Sequence, residues 1–162
     1  MLESHLFLKQ KRGESIKEWM VAGGNKQRGT IDKEDAASPT AALESVLLAS
    51  TIDAAEERDV PVIEITNAFI QTRIKNEKDK LVLRLRGKLA DILIKMAPAI
   101  YRKHITISIK GETVLHMRAL DAIYGIMKAA LLFYQKFVGD LMTIGFELNP
   151  YDPCVGNKTI NG

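Results

Sequence analysis

Hydrophobic and polar positions change period several times along the chain. Residues 5–12 (HLFLKQKR) and 15–22 (SIKEWMVA) are short mixed runs on either side of Arg12-Gly13-Glu14. This pattern predicts two strands of a hairpin. Residues 23–37, rich in charge and interrupted by glycines, predict a loop. Ser38-Pro39 is a helix-start signal, because a serine hydroxyl accepts an orphan backbone N–H and proline loses nothing at the first helical position. Leu43, Val46, Leu47, Ala54 and Ala55 then keep helical spacing up to the charged run Glu56-Glu57-Arg58-Asp59.

The second half alternates more sharply. VPVIEI (60–65) is β-branched and bounded by charge, and predicts a strand. In LVLRLR (81–86), Leu81, Leu83 and Leu85 fall on one side, and Val82, Arg84 and Arg86 on the other. Gly87 ends that run, and Lys88–Met96 predicts a helix stopped near Pro98. ITISI (105–109) and TVLHM (113–117), joined by Lys110-Gly111-Glu112, predict a second hairpin. Met127 to about Ile144 predicts a long helix with Gly145 as its C-terminal cap. The tail FELNPYDPCVGNKTING predicts a strand near Cys154 and a turn at its final Asn-Gly. Interleaved strands and helices make the fold class α+β.

Composition narrows the picture. The chain has 162 residues, 46% hydrophobic and 27% charged, which suits one globular domain or a large piece of one. The single Cys154 forms no internal disulfide and fits a reducing compartment. The best apolar stretch, Ala119 to Val138, contains Asp121, Lys128 and Lys136, and none reaches the roughly 18 residues a membrane helix needs. With no secretory signal in MLESHLFLKQKR, the expectation is an intracellular protein, cytoplasmic or nuclear, with no membrane partner.

Charge is distributed unevenly. The net formal charge is +3, yet residues 73–110 hold 11 basic and 3 acidic residues, or +8, and the rest carries −5. A concentrated positive segment points to a polyanionic partner, with solvated surface lysines as the plain alternative. His5, His104 and His116 lack metal-ligand spacing. Gly23-Gly24 lacks the partners of a phosphate-binding loop, and no Gly-x-Ser-x-Gly elbow occurs.

Five segments, in order, carry a family resemblance. IKEWMVAGGNKQ (16–27) is similar to a Lys-x-Arg-Leu-Val-Ala strand, and SPTAALESVLL (38–48) to a Ser-Pro-Val-x-x-Leu-Glu-Ser helix. VIEITNAFIQT (62–72) is similar to Asp-Val-x-Thr-Ala-Phe-Leu-Asn-Gly. AIYGIMKAALLFYQKF (122–137) resembles Ala-Leu-Tyr-Gly-Leu-Lys-Gln-x-Pro-Arg-Ala-Trp-Tyr. GFELNPYDPCV (145–155) resembles Gly-Phe followed, five residues on, by Asp-Pro-Cys. Together they resemble the reverse transcriptase of copia-type retrotransposons.

That resemblance implies an RNA-directed DNA polymerase: a right-hand fold with residues 1–58 fingers-like and 59–162 a partial palm carrying a fingers-like insertion. It implies an RNA or DNA template-primer, deoxynucleoside triphosphates, and the rest of a retroelement polyprotein as partners. Two Mg²⁺ ions would be the cofactors, since hard cations take oxygen ligands and a metal pair serves both ends of the displacement. Glu64 occupies the position of the first metal-binding and catalytic acid. Its extra methylene carries the charge outward, and displacements of about 1 Å near the chemistry cost on the order of 100-fold. Lys17 matches the fingers lysine near the incoming triphosphate, with Trp19 where the family has arginine. Phe69 matches the aromatic that excludes the 2′-hydroxyl, although taken alone it reads as a core residue. Tyr124-Gly125 persists, while the family's Lys-Gln is Met127-Lys128 and its Pro-Arg is Ala130-Leu131. Lys128 then becomes a second nucleotide-side cation. Arg73, Lys75, Arg84 and Arg86, in the basic segment, are the candidates for the template-primer backbone.

The family's Tyr-x-Asp-Asp turn follows Asp-Pro-Cys, and no adjacent Asp pair occurs in these 162 residues. The expectation is therefore a truncated domain that does not polymerise alone. The alternative is a non-catalytic nucleic-acid-binding or interaction fragment derived from a retroelement. A third outcome, a chain aggregating through an unpaired sheet edge, stays open.

Overall fold

Leu83 and Leu85 alternate into the interior of a five-stranded sheet, and Leu85 and Leu115, paired across two of its strands, are both 0% exposed. This computed structural model describes residues 1–13, 15–76 and 79–160. Its strands are β1 (Leu2–Gln10), β2 (Ile16–Ala22), β3 (Leu81–Arg86), β4 (Ile105–Ile107) and β5 (Thr113–Ala119), in the order β2-β1-β3-β5-β4. All neighbours are antiparallel except β1 and β3, which run parallel and pair only at Leu2–Leu83 and Glu3–Arg84. A two-stranded ribbon, β6 (Glu147–Leu148) and β7 (Gly156–Asn157), lies apart from it. The class is α+β with a mixed sheet.

The helices are α1 (Lys33–Ala36), α2 (Leu43–Ala55), α3 (Gly87–Met96), α4 (Pro98–Tyr101) and α5 (Ala129–Thr143). One side of the sheet carries the core: Leu2, Leu83, Leu85, Leu115 and Ala119 meet Ala90 of α3 and Ala129 at the start of α5. The connection 119–126 threads through this core by backbone hydrogen bonds. Ala122 N–H donates to the Thr72 carbonyl (2.8 Å), Ile74 N–H to that of Leu120 (2.9 Å), and Ala22 N–H to that of Tyr124 (2.8 Å). Gly125, at φ +88°, passes so close to β2 that a Cβ there would lie 2.0 Å from the Ala22 carbonyl oxygen. A Cβ on Gly24 would lie 1.8 Å from the Gly125 carbonyl oxygen. Only two glycines permit this approach of backbones.

Most expected elements form where their periodicity put them. The first hairpin is β1–β2, with its turn residue Glu14 outside the described residues, and the second is β4–β5. The long helix is α5, followed by Gly145 at φ +89°. The charge count over 73–110 includes Glu77 and Lys78, which are outside the described residues, as is the final Asn-Gly turn.

Three expectations are corrected. VPVIEI is not a strand: Val62 is 95% exposed, Ile63 82%, and no ladder partner reaches the segment among the described residues. A β-prone sequence gains its stability from cross-strand neighbours, and none is supplied here. The Ser38-Pro39 start is also displaced. The first full helix of that region begins at Leu43, and the Ser38 hydroxyl donates only to its neighbour's carbonyl. The cap comes instead from Asp152, far along the chain, whose carboxylate accepts from the Ala42 N–H at 2.9 Å. Finally, the tail strand near Cys154 is only the short β7 beyond it, because Cys154 lies in the turn that Asp152 organises through the Cys154 N–H (2.9 Å).

Candidate nucleic-acid interface

Strand parity sends Arg84 and Arg86 to the side of the sheet opposite the core. Register adds Glu3 from β1 and His116 from β5 to that side, each directly opposite Arg84. Glu3 is the hub. Its Oε1 accepts from the Arg84 guanidinium and lies 3.2 Å from that of Arg86. The Arg84 hydrogen bond, aided by the charges of Arg84, Arg86 and Lys26, holds the Glu3 carboxyl below its ordinary value, with partial burial opposing. Two guanidiniums share one carboxylate, so a positive charge remains there. Beside them β4 and β5 wall a cleft of about 390 Å³ lined by Arg84, Arg86, Thr106, Ser108, Lys110 and His116.

Arg73 and Lys75 occupy a different place. They line a cleft of about 550 Å³ between residues 71–76 and α5, together with Asp79, Lys136 and Asp140. Arg73 forms an exposed ion pair with Asp121 at 3.5 Å. The four backbone-contact candidates therefore divide into two pairs in separate clefts, and of the two only the Arg84–Arg86 cleft has no acid among its lining residues, Glu3 being the partner both guanidiniums share.

The nucleotide-side candidates are likewise dispersed. Lys17 lies exposed on β2, opposite Lys9, with its ammonium 5.6 Å over the Trp19 ring. Lys128 sits at the N-terminus of α5, and its ammonium contacts Asp79 at 2.9 Å, half-buried. Phe69 is packed against the core, its ring 4.8 Å from Tyr124 and 6.3 Å edge-on from Phe133, which stacks on Phe137. Its surroundings here are those of a packing aromatic.

Glu64 is exposed on the unpaired 60–65 segment, and its side chain has no hydrogen bond or ion pair among the described residues. No group of three or more His, Cys, Asp or Glu side chains converges there as a metal site, again among the described residues. A magnesium pair needs several oxygen ligands on rigid elements. The donor set does not fit it.

Other contacts bring the five resembling segments together. Asp152 of the fifth segment accepts hydrogen bonds from the Ser45 hydroxyl and the Ala42 N–H of the second, and from its own Cys154 N–H. These hold its carboxyl below the usual value against the effect of burial. Tyr134 of the fourth donates its hydroxyl to the Pro153 carbonyl at 2.9 Å. Burial first, then the nearby Cys154 and Asp152, push the Tyr134 phenol upward, and burial followed by Asp152 does the same for the Cys154 thiol. Phe69 of the third meets Tyr124 of the fourth, and Gly125 lies on Ala22 of the first. Gln27 of the first accepts from the Met127 N–H at 3.1 Å.

Glu3, Asp79 and Asp152 escape sequence reasoning because each acts on a residue remote in the chain. Phe7 leaves a readable signal: it and Trp19 lie equally far from Gly13, so a hairpin centred there sets them opposite each other. Among the described residues no helix is long and apolar enough to cross a membrane. No family model matches the sequence, and comparison with curated proteins and with solved structures finds no match either.

Proposed function

We propose that this chain is the fingers and first half of the palm of a copia-type reverse transcriptase, which holds nucleic acid but does not polymerise alone. One observation carries the reading: the segments that resemble the family are each other's packing partners. Asp152 caps the helix of the Leu-Glu-Ser segment, Tyr134 bonds Pro153, Phe69 meets Tyr124, and Gly125 rests on Ala22. A likeness spread over five segments of one domain requires them to pack together, and these contacts meet that requirement. The surface of α2 adds support. Leu43, Val46, Leu47 and Leu48 are all exposed on a helix with no buried residue, and the β-prone 60–65 segment that holds Glu64 has no strand partner among the described residues. A helix with apolar residues on every side belongs inside a larger body, which is what the remaining palm and the rest of a polyprotein would provide.

In this reading Arg84 and Arg86 bind the template-primer backbone, and Arg73 and Lys75 form a second, weaker contact. Lys17 remains available to a triphosphate. Lys128 reaches one only by leaving Asp79. Glu64 marks the place of the first metal-binding acid but has no companion among the described residues to share Mg²⁺. This isolation favours, as a second reading, a fragment that binds nucleic acid without any catalytic role.

Retention of an RNA–DNA primer-template over a salt series tests the proposal. The logarithm of affinity should fall linearly with the logarithm of salt concentration, as counterions are displaced by Arg84, Arg86 and their neighbours. A response flat in salt, or no retention at all, removes nucleic-acid binding. Primer extension by the purified 162-residue chain with Mg²⁺ and deoxynucleotides would overturn the non-catalytic part. A Tyr-x-Asp-Asp sequence in frame shortly after Gly162 in the source DNA would favour the polymerase reading over the second one.

A further inference from the structure

The β1–β2 arm carries a face that the polymerase reading leaves almost unused. Register sets His5, Phe7 and Lys9 of β1 opposite Val21, Trp19 and Lys17 of β2, so these six residues share one side of the ribbon. The Phe7 and Trp19 rings lie 6.2 Å apart with their planes at 30°, and the Lys17 ammonium stands over the indole. Both rings are open to solvent, Phe7 50% exposed and Trp19 37%.

This face is unfavourable for a ribbon with nothing bound. Lys9 and Lys17 are directly opposed, and like charges at that spacing repel. The one acid on the same side of β1 is Glu3, already engaged by Arg84 and Arg86. Two partly exposed rings beside lysines that have no acidic partner among the described residues match the chemistry of an unpaired polynucleotide, whose bases stack on rings while its phosphates neutralise lysines. A duplex keeps its base faces hidden, and an acidic peptide would satisfy the lysines but leave the rings in water.

We propose that this face binds single-stranded nucleic acid, with Phe7 and Trp19 stacking on bases and Lys9 and Lys17 contacting the flanking phosphates. The inference rests on the nucleic-acid partner proposed above but not on polymerase ancestry. Glu3 separates this face from the Arg84–Arg86 cleft, so a strand crossing the arm runs on toward that cleft.

Trp19 is the sole tryptophan, so its emission reports directly on the site. Titration of the full chain with an oligodeoxythymidylate should quench that emission. Phe7→Ala should weaken binding on the order of tenfold, Trp19→Ala should do the same by anisotropy of a labelled oligomer, and Trp19→Phe should restore most of it. An abasic oligomer of equal length should bind far less tightly. Matching thermal transitions for the variants exclude a folding defect. Equal affinity for the abasic oligomer, equal competition by polyglutamate, an unchanged Trp19 emission, or no oligomer binding overturns the proposal. Primer-template retention in Arg84→Gln and Arg86→Gln variants is measured separately. Its loss with single-strand binding intact would confine the failure to the inference's neighbour, the duplex contact.

Discussion

The carboxylate of Asp152 accepts a hydrogen bond from the backbone N–H of Ala42, 110 residues earlier in the chain. Through it, the turn before β7 holds the start of α2, a helix whose own sequence supplies no side-chain cap. Asp152→Ala should therefore fray α2 and lower the thermal midpoint by several degrees. Helix-specific hydrogen exchange distinguishes this from a diffuse loss: protection should fall at 43–47 and persist in β3 and β5.

The same carboxylate sets a pH dependence. Asp152 is held below its ordinary value by the hydrogen bonds from Ser45, Ala42 and Cys154. Its contribution is complete above the usual aspartate value, roughly pH 4, and fades as pH falls through the lower folded value. The midpoint difference between the native chain and Asp152→Asn should be largest near neutrality and shrink on acidification. A difference that grows below pH 4 would contradict the assignment.

Gly125 and Gly24 permit two backbones to touch. Gly125→Ala adds a Cβ 2.0 Å from the Ala22 oxygen at a φ of +88°, and should destabilise by on the order of 3 kcal/mol. Gly13→Ala is the control, since its φ is +101° but, beyond its chain neighbours, no atom of the described residues lies within 4 Å of the added carbon. It should lose only about 1 kcal/mol. Denaturant midpoints of the two variants give the comparison directly.

Glu3 restrains the two arginines of the outer sheet face. Glu3→Gln removes the shared carboxylate, so affinity for a polyanion should rise at low salt. The slope of log affinity against log salt should steepen by about one. A variant with unchanged slope would mean that Arg84 and Arg86 do not touch phosphate.

Lys128 and Asp79 form a half-buried pair at 2.9 Å. Lys128→Met should cost about 1–2 kcal/mol, because Asp79 is left without its cation. Combining it with Asp79→Asn should cost less than the sum of the single changes. Strict additivity would deny the pair, and would return Lys128 to the nucleotide-side role.

Local order was legible in the residues themselves. The leucine alternation of 81–86, the turn residues flanked by mixed runs, and the spacing from Met127 onward all reappear as β3, the two hairpins and α5. Each is decided among residues a few positions apart, where side-chain period and backbone conformation are coupled. Partners distant in the chain were not legible. VPVIEI has the composition of a strand but no ladder to join among the described residues, α2 starts where Asp152 arrives rather than at Ser38-Pro39, and Arg84 and Arg86 meet an acid from β1. Which acid pairs with which cation, and which β-prone run finds a neighbour, depends on how the folded chain brings remote segments together. Only the tertiary structure decided that.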